Sequence, residues 1–462
     1  MPVLRKKERP SWHKPSAVHS PVGAGLSLAE ILRAWYPLAL SWTVMSMEGV
    51  VINAILARMP NPEINLAAYG GVAFAIAFVI SSPIAMMLAT STALAKNWQA
   101  YQRLRKFMLW LGLSLTLLYA VVAFSPLYDF VVVKLIGAPP EIIEPGRLGL
   151  KILIPFPWLV GLRRLPQGVM IRFGQSGGVT MSTIVRLISE TTLMLIGFLD
   201  GRLPGIVVAT GSQTFGMIME TIYANLRVRP ILQYELREAP VDNPLTWRDL
   251  SRFYLPLVIT TIITFSFQFI NSAGLSRMPM AIESLAVFPV VSSLSWLLQS
   301  PGVAWNEVVV ALADRPRSVG RLRRFTVLLF VGTLLLTLVF LVTPLSKWWF
   351  HSVASLVQPL DAMANNGMWF MLVGSGLVVL QCWFQGLILH GRNTRGITES
   401  VIVSMIVEVA LIAAGIAWGK ITGLYVGLIA YMLSYASQIF WLYLRSRPVM
   451  AQLKQRDGEI PS

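Results

Sequence analysis

The sequence predicts an all-α polytopic membrane protein of about twelve transmembrane helices, arranged as two related bundles of six. Three observations carry this. The chain of 462 residues is 55% hydrophobic and only 13% charged, far more apolar than a soluble domain of that length. Its apolar stretches repeatedly reach the roughly 20 residues that a helix needs to cross a hydrocarbon core. And its second half repeats Gly, Pro, Arg and Glu positions of its first in nearly constant register. The alternating ten-residue pattern of a transmembrane β-barrel wall is absent from the sequence.

The predicted helices run over 30–56, 65–94, 104–127, 146–171, 178–200 and 203–226, then over 249–275, 283–312, 322–345, 361–390, 396–419 and 422–445. Each ends at a charged, Gly or Pro-bearing turn where the apolar run stops. Ahead of the first lies a basic arm, 1–25, with Arg5, Lys6, Lys7, Arg9 and Lys14. The apolar run that follows is too long for the core of a cleaved secretory signal and is expected to remain as a span. Residues 26–230 form the first bundle, 231–244 a linker marked by Pro240 and Pro244, 245–448 the second bundle and 449–462 a tail.

The repeat is found by subtraction. Gln167-Gly168 recurs as Gln385-Gly386 (385 − 167 = 218), Gly178 as Gly396, Glu190 as Glu408, Gly205 as Gly423 and Arg227 as Arg445. At the front of each half, Arg33, Pro37 and Arg58-Met59-Pro60 match Arg252, Pro256 and Arg277-Met278-Pro279 at an offset of 219. One residue is therefore lost in the second half between its first and third helices. Six spans per half is an even number, so both halves enter the membrane in the same direction, related by an axis along the membrane normal with the transport path expected between them.

Charge then sets topology. Most of the 38 Lys and Arg fall on the side of both termini, Arg103, Arg105, Lys106, Arg315, Arg317, Arg321, Arg323 and Arg324 among them. The positive-inside rule places both termini in the cytoplasm of a multi-pass protein of the cell membrane. The same distribution, together with anionic lipid headgroups as partners, accounts for a net charge of +16 without nucleic acid. A single cysteine, Cys382, excludes an intrachain disulfide or a cysteine-rich metal site. Gly174-Gln175-Ser176-Gly177-Gly178 fits a G-x-S-x-G pattern, but it joins two membrane helices and lacks the strand that a nucleophile elbow needs. Without Walker A, H-E-x-x-H or G-x-G-x-x-G sequences, the chain is expected to be neither an enzyme nor an ATP-driven pump, and to need no metal or organic cofactor.

Carboxylates inside the hydrocarbon zone must be paired, protonated or wet. Glu48, Arg186, Glu190, Glu307 and Glu408 are the charged candidates. Glu190 and Glu408 are repeat mates, as a shared scaffold contact would be, and Arg186 lies one helical turn before Glu190, where it can neutralise that acid or meet an anion. Glu48 and Glu307 have Phe267 and Ala89 as mates; a repeated scaffold does not explain them. Asn53, Gln268, Asn271 and Asn306 are uncharged polar groups near the same levels, suited either to interhelical hydrogen bonds or to a cavity wall. Arg58 and Arg277 end the first helix of each half and form either headgroup anchors or a basic ring at the outer mouth.

Twelve spans in two parallel bundles, joined by a linker after the sixth, resemble the multidrug, oligosaccharidyl-lipid and polysaccharide (MOP) exporter superfamily, whose MATE-like members have this layout. Ser276-Arg277, then Glu283 to Val287, Pro301, Trp305 and Glu307 resemble the start of the second half in its progressive ankylosis branch. The resemblance implies an alternating-access exporter, working as a monomer, of small organic anions or pyrophosphate-like solutes coupled to a proton or sodium ion. A lipid-linked oligosaccharide flippase or a multidrug antiporter of the same superfamily is the alternative. It also implies that the first and eighth spans face the central cavity, so that Glu48 and Glu307 share it.

Overall fold

The computed structural model describes residues 26–240, 244–313, 315, 317–391 and 395–459, and these form helices joined by short turns, with no strand among them. Most of the basic arm, parts of the linker and the chain end lie outside the described residues. The first half comprises α1 (Leu28–Leu56), α2 (Pro62–Leu94), α3 (Trp98–Phe124), α4 in two pieces (Pro140–Ile152 and Phe156–Arg172), α5 (Ser176–Asp200) and α6 (Gly205–Pro230). The second comprises α7 (Trp247–Leu275), α8 (Ala281–Leu312), α9 (Ser318–Val342), α10 (Leu360–His390), α11 (Arg395–Trp418) and α12 (Gly423–Glu459).

Local chemistry repeats with the elements. Ser27 and Glu30 form a capping box at the start of α1, and Thr246 with Asp249 forms one at α7, 219 residues later. Left-handed backbone recurs at Asn61 and Met280, and at Gly201 and Gly419. The single-residue slip has a visible cause. Residues Ala67–Ala73 of α2 form a widened π turn, whereas the matching part of α8 is unbroken α-helix. A π turn absorbs one extra residue and frees backbone carbonyls, so the first half carries its additional residue at the level of Tyr69 and Gly70.

Among the described residues ten helices are long and apolar enough to span a bilayer by composition; α4 and α6 fall outside that set. They are the two that bring Arg163, Arg164 and Glu220 into the first half. Large apolar side chains such as Trp110, Leu117, Phe124, Ile188, Leu199 and Val342 are exposed on the bundle exterior, the surface that lipid would cover. Between helices, where lipid gives no hydrophobic drive, packing depends on close backbone approach. A Cβ on Gly168 would sit 1.8 Å from Ser91 Oγ and 2.5 Å from Leu88 O, so α4 and α2 are in near contact at that point.

Two boundaries differ from the sequence expectation. The segment expected to be linker stays helical through Ile231–Glu235 and Leu236–Glu238. The last helix continues far beyond 445 into the expected tail, because the tail has a docking partner. Arg456 donates to Ala313 O and Arg315 O at 3.0 Å each, and Asp457 accepts from the Arg317 and Val319 amides at 3.1 Å, capping the start of α9.

Candidate functional site

Between the halves lies a cavity of about 520 Å³. Met45, Glu48, Gly49 and Asn53 of α1 and Tyr69, Gly70, Phe74 and Phe78 of α2 form one wall, with Arg163, Arg186, Gln213 and Met217 behind them. From the second half come Gln268, Phe288, Ser293, Trp296 and Tyr431. Asn53 and Gln268 also tie the halves together. Asn53 donates to Pro289 O at 3.0 Å and to Ser293 Oγ at 3.1 Å, and Gln268 donates to Gly70 O at 3.3 Å, a carbonyl within the π turn. Gly70 and Pro289 are themselves repeat mates, so the two amides hold matching points of α2 and α8. Gly70 has no room for a side chain, since a Cβ would come 2.8 Å from Pro289 Cγ.

The polar end of the cavity is a buried ion-pair network centred on Arg186. Its guanidinium grips Glu48 through both Nη atoms, Nη2 lying 2.6 Å from Oε2. Arg186 Nε is 3.1 Å from Glu220 Oε2, and Nη1 is 3.7 Å from Glu190 Oε2. Glu220, fully buried, is held further by Arg163 at 3.0 and 3.1 Å and by Gln167 at 2.8 Å. Gln167 in turn donates to Ser182 Oγ at 3.0 Å. The network joins α1, α4, α5 and α6, so it fixes the first half's inner helices relative to one another. Three carboxylates share two direct guanidinium partners; Glu48 and Glu220 are hydrogen-bonded, whereas Glu190 meets Arg186 at ion-pair distance alone.

Sequence reasoning named Glu48, Arg186 and Glu190 but missed Glu220 and Arg163. A signal existed for both. Glu220 has Gln438 as its repeat mate and Arg163 has Gln381, the same charged-versus-neutral asymmetry that singled out Glu48. Sorting by charge alone puts Arg163 and Arg164 on the terminal side, whereas both lie inside α4, Arg163 on the cavity wall.

The remaining expected site residues are elsewhere. Glu408 and Asn271 form a separate buried cluster in the second half, in which Asn271 Nδ2 and Ser434 Oγ both donate to the carboxylate, the latter at 2.5 Å. Among the described residues this carboxylate has no cationic partner, in contrast to its mate Glu190. Asn306 is half-buried and Glu307 exposed, and neither lines the cavity with Glu48. Glu307 instead accepts from Trp42 Nε1 at 3.4 Å. Helix geometry gives the reason: Trp296 reaches the cavity, and Glu307 is eleven residues further along α8, about 16 Å away.

Arg58 and Arg277 do not simply project to solvent. Arg58 donates to Ser352 O at 2.6 Å and Val353 O at 2.7 Å of the second half. Arg277 donates to Ile136 O at 2.6 Å and to Lys134 O and Leu135 O at 2.8 Å in the first. The acceptors end matching π-helical segments, Phe130–Ile136 and Trp349–Val353. Each half thus caps the other on the face opposite the described ends of the chain.

These two parallel bundles with a central cavity are the fold of MATE-type transporters of the MOP superfamily. An inward-facing multidrug resistance MATE family transporter superposes with a TM-score of 0.69 at 15% identity, covering 91% of this chain and 99% of the other. A point mutant of the Vibrio cholerae MATE transporter VcmN gives 0.62 at 14% identity over 91% and 96% of the two chains. A MOP superfamily transporter from Pyrococcus furiosus, described as having a binding pocket of reverse polarity, gives 0.58 at 14% over 93% and 99%. No protein-family model matches the chain, and no curated protein matches it.

Proposed function

We propose that this chain is a secondary transporter, not an enzyme, that moves an organic anion by alternating access, with Arg186 as the anion contact and Glu48 as its resident substitute. The bidentate grip of Arg186 on Glu48 at the cavity wall carries the reading. An incoming carboxylate or phosphate offers the guanidinium the same planar pair of acceptors that Glu48 now provides. Displaced Glu48 is then an acid without its cation in a poorly solvated site, and taking up a proton relieves that cost. Substrate binding and proton binding are thereby linked at one residue, which makes the proton the favoured coupled ion.

The cavity also constrains the substrate. Phe74, Phe78, Phe156, Phe288, Trp296 and Tyr431 line it, which suits an anion with an apolar body better than a compact polyanion such as citrate or pyrophosphate. The progressive ankylosis resemblance supports anions as a class, and the multidrug neighbours support an aromatic cavity. Anion and proton are bound together in this scheme and so cross in the same direction; export across the cell membrane by a monomer with cytoplasmic termini is then driven by the anion's own outward gradient, the proton leaving with it.

Proteoliposome flux tests it. Labelled aromatic carboxylates, citrate and pyrophosphate are compared with a lipophilic cation under an imposed pH gradient. Anion flux that depends on the gradient and is lost in Arg186→Gln and Glu48→Gln is expected. A second reading, a multidrug cation antiporter, rests on Glu48 lying among aromatic rings; it predicts cation flux that survives Arg186→Gln, and that result would overturn the anion assignment.

A further inference from the structure

Away from the cavity, a groove of about 330 Å³ opens between the first turns of α1 and α9, lined by Leu28, Ile31, Arg321, Arg324, Phe325 and Leu328. The internal repeat supplies a control for it. The matching junction, between α7 and α3, is made by Trp247, Leu250, Arg103, Lys106, Phe107 and Trp110. Much of the framework is kept: Phe325 meets Trp35 edge-on at 5.8 Å, and Phe107 meets Tyr254 edge-on at 4.9 Å. What differs is the side chain at the helix start: Trp247 lies against Arg103, 5.9 Å from guanidinium to ring centre, and its mate is the smaller Leu28, exposed to a similar degree at 55% against 53%. Trp247 and Trp110 of one junction are Leu28 and Leu328 in the other, so the groove is lined by the smaller side chain at both positions.

We infer that this groove binds an anionic phospholipid, its phosphate on Arg324 and Arg321 and the upper part of one acyl chain against Leu28, Ile31 and Leu328. Charge complementarity selects the occupant. Among the described residues Arg324 makes no hydrogen bond or ion pair, and the nearby acid, Glu30, is engaged by the α1 cap and by Arg315 at 3.1 Å. Arg321 donates to Leu26 O through Nη1, which anchors the start of α1 beside the site. Basic pockets between membrane helices at the headgroup level bind such lipids, whose chains remain in the bilayer. Bound lipid here bridges the first helix of one half to the third helix of the other, the two elements that must part or approach when the halves rock.

Native mass spectrometry of the full chain released from nanodiscs tests the inference. With equal phosphatidylglycerol and phosphatidylcholine, wild type should retain phosphatidylglycerol selectively. Leu28→Trp, which installs the side chain the other half already has, should lower that retention at least fivefold, and Arg324→Gln likewise, with unchanged melting temperature. Should Leu28→Trp fail to fold, Leu328→Trp replaces it. Wild-type retention in these variants overturns the proposal, as does equal retention of both lipids. Full competition by glycerol 1-phosphate also overturns it, since the site would then take a free phosphate ester.

Discussion

At the scale of single residues, the two repeat-mate acids make a controlled comparison. Glu190 belongs to a network with Arg186, Glu48 and Glu220, whereas Glu408 meets only the neutral donors Asn271 and Ser434. Removing the shared cation should be costly, because Arg186→Gln leaves three acids with Arg163 alone; a loss of about 3–5 kcal/mol is expected from breaking a buried pair. The thermal or denaturant stability of the purified protein reads this, and adding Glu48→Gln should restore part of it, since the double variant strands fewer charges. Glu408→Gln should instead stay within about 1 kcal/mol of wild type, the Ser434 hydroxyl rotating to accept from the new amide. Equal losses in the two single variants would show that the halves do not differ electrostatically as their contacts indicate.

At the scale of elements, helix contacts in the first half depend on backbone approach at Gly168. Its Cβ would collide with Ser91 Oγ, Leu88 O and the Thr92 amide, whereas a Cβ on the mate Gly386 would meet chiefly the Val309 side chain at 2.7 Å. Backbone cannot yield as a valine rotamer can, so Gly168→Ala should abolish folded protein or cost more than about 3 kcal/mol, Gly386→Ala should cost roughly 1–3 kcal/mol, and Gly177→Ala, with open space around it, should be neutral. Expression and melting temperature in detergent rank the three. The Gln-Gly pair was one of the clearest repeat signals in the sequence, and this contact explains why glycine stands there in both halves. Helix number, order and the slip in register were legible because periodicity and punctuation are local properties. The π turn that absorbs the slip, the helical tail held by Arg456 and Asp457, and the Glu220–Arg163 pair were not, because each is set by a partner distant in the chain. Glu220 illustrates the limit: alone it is one acid in a moderately apolar helix, and only the three-dimensional meeting of α4, α5 and α6 makes it a buried partner of both Arg186 and Arg163.

At the scale of the whole molecule, the halves are joined by reciprocal contacts at two levels. Towards the end bearing both termini, Trp35 Nε1 donates to Pro301 O at 2.9 Å and Tyr254 Oη to Pro83 O at 2.5 Å, and these are repeat mates. Towards the opposite face the bridges are Arg58 to residues 352–353 and Arg277 to residues 134–136. Alternating access requires that one set open while the other holds. Both arginines are exposed, so each set of bridges is screened, and about 1 kcal/mol per arginine is a fair allowance; loss of both then shifts a two-state equilibrium by roughly thirtyfold. In Arg58→Gln/Arg277→Gln, built on Cys382→Ser with a reporter Ser293→Cys in the cavity wall, an impermeant maleimide applied to the face opposite the termini should label the reporter several-fold faster than in the same background with both arginines. Each single variant should give an intermediate rate, because either half's clamp resists separation alone. Labelling that stayed at the background rate in the double variant would show that the bridges follow closure of this face and do not hold it, leaving the packing of α1 on α8 and α7 on α2 as the element that keeps the halves together.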